Sequence, residues 1–249
     1  MKPATLPGEF SVSAANKVKF SRGNLWYGDG KFHFEENQWE RDPSVGESSN
    51  PSHVSHFYWS KTASVAYAEN YSDSDASSDD VFFTNAMDTT ASSSFQVDGE
   101  EAGTWRTLSN AEWGYLLSTD GSSGRTDTNR FAKARLNDVQ GLLVFPDGYS
   151  ETTSGDGIAE VNNTDAEYPS SSIDEAIWTE MESSGAVFLP VSGFRNSMSV
   201  SYGDYGLYWS STPKDGYFAY NMNFQSGNVL TNNVLRENGC AVRLVRDVE

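Results

Sequence analysis

The chain has little of what most site chemistry needs. Cysteine occurs once, at Cys240, so no intrachain disulfide can form and the redox compartment is not indicated. Histidine occurs three times, at His33, His53 and His56, with no H-x-x-x-H spacing and no cysteine pair, so no zinc site is expected. Cations are scarce: 17 Lys and Arg stand against 35 Asp and Glu, a formal net charge of -18. Phosphate binding needs clustered Lys and Arg, which argues against nucleic acid as the main partner and against an anionic membrane surface. Acidity of this kind serves solubility. No apolar run approaches the length of a membrane span, so direct insertion is not expected. The opening "MKPATLPGEF" lacks the apolar core of a signal peptide; either no leader is used or Met1 replaces one. Neither G-x-S-x-G, a Walker loop nor a dinucleotide glycine pattern occurs. The many carboxylates have no separation that a sequence fixes, so they support no glycosidase claim. An enzyme is not expected, and neither is a cofactor or a metal.

What is present is a folding signal rich in aromatics. Of 249 residues 37% are hydrophobic and 13% aromatic, which implies a folded domain with aromatic anchors and long polar loops. "FSVSA" and "KVKFS" place Phe10 and Val12, then Val18 and Phe20, at period-two spacing around a turn at Asn16. "KFHFEE" repeats the habit with Phe32 and Phe34, so half-buried antiparallel hairpins are expected. From Arg41 to Gly103 the chain is rich in Ser, Asp, Asn and Pro, interrupted by islands such as "HFYW" and "VFF". That pattern reads as surface loops pinned by aromatics. The run Asp73, Asp75, Asp79, Asp80 lacks the glycine and spaced glutamate of an EF-hand, and reads as a solvated acidic loop.

"TWRTLSNAEWGYLLSTDG" predicts a helix, with Ser109 as N-cap, Glu112 closing a capping box, Trp113, Leu116 and Leu117 on one face, and Gly121 after its end. "SSIDEAIWTEMESSG" predicts a second, with a box from Ser172 to Glu175, a face of Ile173, Ile177 and Met181, and a stop at Gly185. "RFAKARLNDVQGLLVFP" reads as a hairpin turning at Asn137-Asp138, and "AVFLPVSGF" as a buried strand. Strands and helices do not alternate regularly, which points to an α+β domain rather than a doubly wound sheet. The expected organisation is a tail over residues 1–9 and one domain over residues 10–249.

Two stretches carry a resemblance. "GTWRTLSNAEWGYLL" resembles the helix motif of the formylglycine-generating-enzyme type of C-type-lectin-like domain, where a Trp-Arg-Leu-Pro-Thr-x-x-Glu-Trp run is usual. "GLYWSSTP", "FAYNMNFQSGNV" and "ENGCAVRLVR" look like the end of the same fold. With "KVKFSRGNLWY" and "GAVFLPVSGFRN", the chain from about Phe10 to Val248 resembles variable proteins of diversity-generating retroelements from gut bacteria and their phages. The resemblance implies an α+β, C-type-lectin-like fold with two helices, short antiparallel strands and long loops. It also implies a binding protein displayed on a bacterial cell surface or a phage particle, with a protein or other surface ligand as partner. In such systems adenines near the end of the gene are altered. Asparagine codons are the preferred substrate, because changing their first two bases never yields a stop.

On this resemblance the fixed frame is Tyr208, Trp209, Ser210, Ser211, Thr212, Ala219, Phe224, Ser226, Val229, Arg236, Gly239, Val242, Arg243 and Leu244. The ligand-binding, variable positions fall between, within a region of about 196–240. They are Lys214, Asp215, Gly216, Tyr217, Phe218, Tyr220, Asn221, Asn223, Gln225, Leu230, Asn232, Asn233, Val234, Leu235, Glu237, Asn238 and Cys240. They are expected on loops, where aromatics supply contact area and Asn and Gly supply adaptable hydrogen bonds. Trp209 is expected in the core beneath them, and Cys240 is either a chance product at a variable position or a small buried residue. One alternative is a non-diversified adhesin or structural protein of the same fold. A degenerate formylglycine-generating-type enzyme is the third reading, weakened because one cysteine cannot supply that enzyme's pair. No Glu-Pro-Asn or Gln-Pro-Asp motif is present, so calcium-dependent sugar binding is not implied.

Overall fold

Local sequence explains the hairpins. In a computed structural model of the chain, which describes residues 3–41, 52–74, 76–78, 82–83, 96–101, 103–119, 129–150, 155–196, 199–201 and 203–248, Phe10–Ser11 (β1) pairs antiparallel with Lys17–Phe20 (β2). Phe10, Val18 and Phe20 are buried by the alternation expected of them. Leu25–Gly28 (β3) and Lys31–Phe34 (β4) form a second hairpin that buries Leu25, Phe32 and Phe34. The segment read as loops carries one short helix, Ala63–Ala66 (α1). Of the acidic run only Asp73 is among the described residues; its carboxylate accepts from Ser60 Oγ at 2.8 Å.

After Arg106–Thr107 (β5) comes the helix Asn110–Leu117 (α2), with the capping box in place: Ser109 Oγ accepts from Glu112 N and Glu112 Oε2 accepts from Ser109 N. Trp113 and Leu116 are buried and Leu117 packs beside them. Gly121 lies outside the described residues. Phe131–Leu136 (β6) turns through Asn137 and Asp138, both at positive φ, into Val139–Val144 (β7). Two consecutive positive-φ residues match the right-handed twist of a tight hairpin.

The second helix, Glu175–Ser183 (α3), is capped two residues later than expected. Asp174, not Ser172, caps it, by accepting from Ala176 N at 2.8 Å; Ser172 Oγ instead accepts from Asp138 N and donates to its carboxylate. The buried face is Trp178 and Met181, while Ile177 is 47% exposed. Gly185 does end the helix, at positive φ, with Ala186 N bonded to Met181 O and Gly185 N to Glu182 O. Val187–Pro190 (β8) is wholly buried and completes the sheet β6-β7-β8.

The last segment is where fold and expectation part. Phe194–Asn196 (β9), Ser199–Ser201 (β10) and Asn238–Gly239 (β14) form a small sheet, and Leu244–Asp247 (β15) closes the sheet β1-β2-β15-β5. Between them Gly206–Pro213 (β11), Phe218–Gln225 (β12) and Asn228–Leu235 (β13) make a three-stranded antiparallel sheet. The Asn-rich stretch expected as loops is therefore strand. With 39% strand, 10% helix, five small sheets and three short helices among the described residues, the fold is mostly β rather than α+β with two helices. Asparagine hid this, because its strand propensity is low, yet cross-strand pairing overrides so weak a preference.

Candidate ligand-binding surface

β11 is tied down by nearly every polar group it has. Tyr208 Oη donates to Pro190 O and accepts from Asn24 Nδ2. Trp209 Nε1 donates to Phe57 O, and Trp59 Nε1 returns a bond to Ser210 O. Ser210 Oγ reaches across to Tyr220 O at 2.8 Å, and Thr212 Oγ1 accepts from Asn110 N at the start of α2. The "HFYW" island supplies two of these anchors, Phe57 and Trp59. Burial and bonding together make β11 a fixed wall.

The turn from β11 to β12 is built by Asp215 and Arg236. The Asp215 carboxylate accepts from both Tyr217 N and Phe218 N at 2.8 Å, and these two bonds hold it below the usual carboxylate range. Its contribution is present above the ordinary carboxylate pKa and is lost as pH falls through the lowered value. Arg236 is buried with its guanidinium 4.3 Å from the Trp59 ring centroid. One nitrogen, Nη2, donates to Asp215 O and to Ser77 O, so a single side chain holds the turn against residues 76–78. Between turn and loop lies an open cleft of about 470 Å³, walled by Tyr71, Asp73, Ser74 and Ala76 on one side and by Gly216, Tyr217, Leu235 and Glu237 on the other. Of this 71–76 wall, Asp73 was expected only as part of a solvated acidic loop, and Tyr71, Ser74 and Ala76 were not expected at a site.

Strand register sorts the remaining candidates. Cross-strand partners share a face, so Phe218 and Leu235, Tyr220 and Asn233, Met222 and Thr231, and Phe224 and Val229 lie on one side. Ala219 and Val234, Asn221 and Asn232, Asn223 and Leu230, and Gln225 and Asn228 lie on the other. On the first side Met222, Phe224 and Val229 join the core of Trp113 and Leu116. On the second, Ala219 and Val234 join the core of Trp209 and Val242. The sheet is thus buried on opposite faces at its two ends, and its open halves are also on opposite faces.

The expected site residues therefore do not form one patch. Lys214, Gly216, Tyr217, Phe218, Tyr220, Asn233, Leu235 and Glu237 gather around the turn, with Tyr217 77% exposed. Lys214 ties this group together: Nζ donates to Asn233 Oδ1 at 3.0 Å and lies 5.4 Å from the Phe218 ring centroid. Asn223, Gln225, Leu230 and Asn232 gather at the other end, with Leu230 39% exposed. Val234 is half-buried against the core and Asn238 half-buried in β14. Two are buried outright. Cys240 sits in the core, its backbone paired with Phe57 in both directions, and burial pushes its thiol well up. It is the small buried residue of the two readings, not a surface position. Asn221 is also buried, and neither amide atom of its side chain has a hydrogen-bond partner among the described residues.

Burial divides the segment as follows. Of the frame, Ser211, Thr212, Ser226 and Val229 are not buried and the rest are. Of the intervening positions, Asn221 and Cys240 are buried and the rest are not. Residues 157–245 match the model of a family described as a domain of unknown function, DUF8237. No curated protein and no solved structure matches the chain. The matched span holds the whole of the β11–β13 sheet and both of its exposed groups.

Proposed function

We propose that the chain is a ligand-binding protein, not an enzyme, whose recognition surface is the β11–β13 sheet with its β11–β12 turn. Its exposed positions are diversified by adenine-directed retroelement mutagenesis, and it is displayed on a cell surface or phage particle toward a protein or other surface ligand. One observation carries the reading: the positions assigned to the frame are buried except Ser211, Thr212, Ser226 and Val229, while the intervening positions, Asn221 and Cys240 excepted, have exposed or half-exposed side chains. A surface can vary freely only where side chains do not serve the core. The aromatic group Tyr217, Phe218 and Tyr220 supplies contact area that loses little side-chain entropy on binding.

Sequencing the codons from Asn196 to Cys240 across a population of source cells or phage tests this. The expected result is substitution at adenine-derived positions, concentrated at Lys214, Tyr217, Tyr220, Asn232, Asn233 and Leu235, with Trp209, Arg236 and Gly239 constant. A uniform sequence across the population overturns the diversification.

A further inference from the structure

Strand β13 is an open edge. It pairs with β12 on one side, and among the described residues nothing pairs with the other. Which backbone groups face outward follows from two bonds. Tyr220 O accepts from Ser210 Oγ on the β11 side, so Tyr220 does not bond its cross-strand partner Asn233. Asn233 N, accordingly, donates to its own neighbour's Asn232 Oδ1 at 2.8 Å. Asn228, Leu230, Asn232 and Val234 therefore bond inward to β12, and Val229, Thr231, Asn233 and Leu235 turn their backbone groups outward. The N–H groups of Val229, Thr231 and Leu235 have no partner among the described residues.

Edges are usually blunted by brevity, Lys, Pro or a bulge, because an open ladder pairs with other chains. Several other edges here follow that rule. β1 and β5 are two residues long and β10 is three. β6 carries Lys133 and Arg135, and its outer carbonyls are taken by Ala159 N and Ile173 N. β13 has none of these devices. It runs for eight residues in unbroken register, and no charged residue occurs from Gly216 to Leu235 in a chain that is 21% charged.

We infer that β13 takes an extended, strand-forming segment of a partner protein as a fourth strand of its sheet. This rests on the reading of that sheet as the recognition surface, and it names the class of ligand. An ordered row of outward N–H and C=O groups is matched by another extended backbone, whatever the side chains on either strand. Backbone pairing gives a constant share of affinity, while Leu230, Asn232, Asn233 and Leu235 on its two faces select the partner. Such an arrangement keeps binding possible while side chains change.

Random linear peptides displayed in a library, selected on the full chain, supply the probe. Thr231→Pro removes one outward N–H and places a ring where the added strand would lie, without touching a bond to β12. Selected peptides are expected to bind this variant roughly tenfold or more weakly, and in the unsubstituted chain to protect the Val229 and Thr231 amides from hydrogen exchange. Should Thr231→Pro unfold, N-methylation of alternate peptide residues replaces it: one alternation abolishes binding and the other preserves it. Peptides insensitive to both changes but lost on replacing Tyr217, Phe218 and Tyr220 by Ala overturn strand addition and leave the recognition surface standing. Peptides insensitive to all of these overturn both. Recovery of no peptide overturns strand addition, as does a dimer dissolved by Thr231→Pro, which would assign the edge to a second copy of the chain.

Discussion

β11 and β13 are the two outer strands of one sheet and equal in length, yet they share almost nothing else. β11 buries five consecutive residues and exchanges side-chain bonds with residues 24, 57, 59, 110 and 190. β13 buries none of its residues completely, carries no charge and leaves its outer ladder open among the described residues. The difference shows how one sheet combines rigidity with tolerance. The wall that faces the scaffold holds geometry through bonds that admit few substitutes, and the wall that faces outward needs only its backbone.

Breaking the rigid wall is expected to have the largest effect. Trp209→Ala removes a fully buried indole and the donor to Phe57 O, and should cost roughly 3–5 kcal/mol in denaturant unfolding. Arg236→Met keeps an apolar stem over Trp59 but leaves Asp215 O and Ser77 O without their donor. A loss of about 2–3 kcal/mol is expected, with faster exchange of the Tyr217 and Phe218 amides. Equal stability would show that the turn does not depend on this peg.

Asn221 sharpens the contrast from the other direction. It lies beside Trp209 in the buried half of the sheet, yet its amide has no partner among the described residues. Asn221→Leu, close in volume, should therefore raise stability by about 1 kcal/mol. A loss of similar size would mean that the amide is satisfied in solution. The smallest effect is expected for replacing Tyr217, Phe218 and Tyr220 together by Ala, within about 1 kcal/mol of the parent stability. A large drop in the thermal midpoint would place these aromatics in the core.

Short-range signals were legible in the sequence. The Ser109–Glu112 box and the positive-φ pair Asn137-Asp138 act within four residues, so their residue types suffice. Ile177 misled because a nine-residue helix, once capped at Asp174, turns Trp178 and Met181 inward and Ile177 outward. β12 was not legible as a strand for a different reason. Its burial runs through Ala219 and Asn221 on one face, then Met222 and Phe224 on the other. Period-two alternation breaks where the covering core changes sides, and no local pattern can report which core covers which end. Cys240 could not be placed from the sequence either, since its burial depends on Phe57, far away in the chain.

The most direct test of a rigid wall beside a tolerant one is a substitution scan of every position from Gly206 to Cys240, read by resistance to proteolysis. Broad tolerance is expected at Lys214, Tyr217, Tyr220, Gln225, Leu230, Asn232, Asn233, Leu235 and Glu237, and sharp intolerance at Tyr208, Trp209, Ser210, Arg236 and Gly239. Comparable sensitivity on β11 and β13 would contradict it, and would make the sheet a structural element throughout.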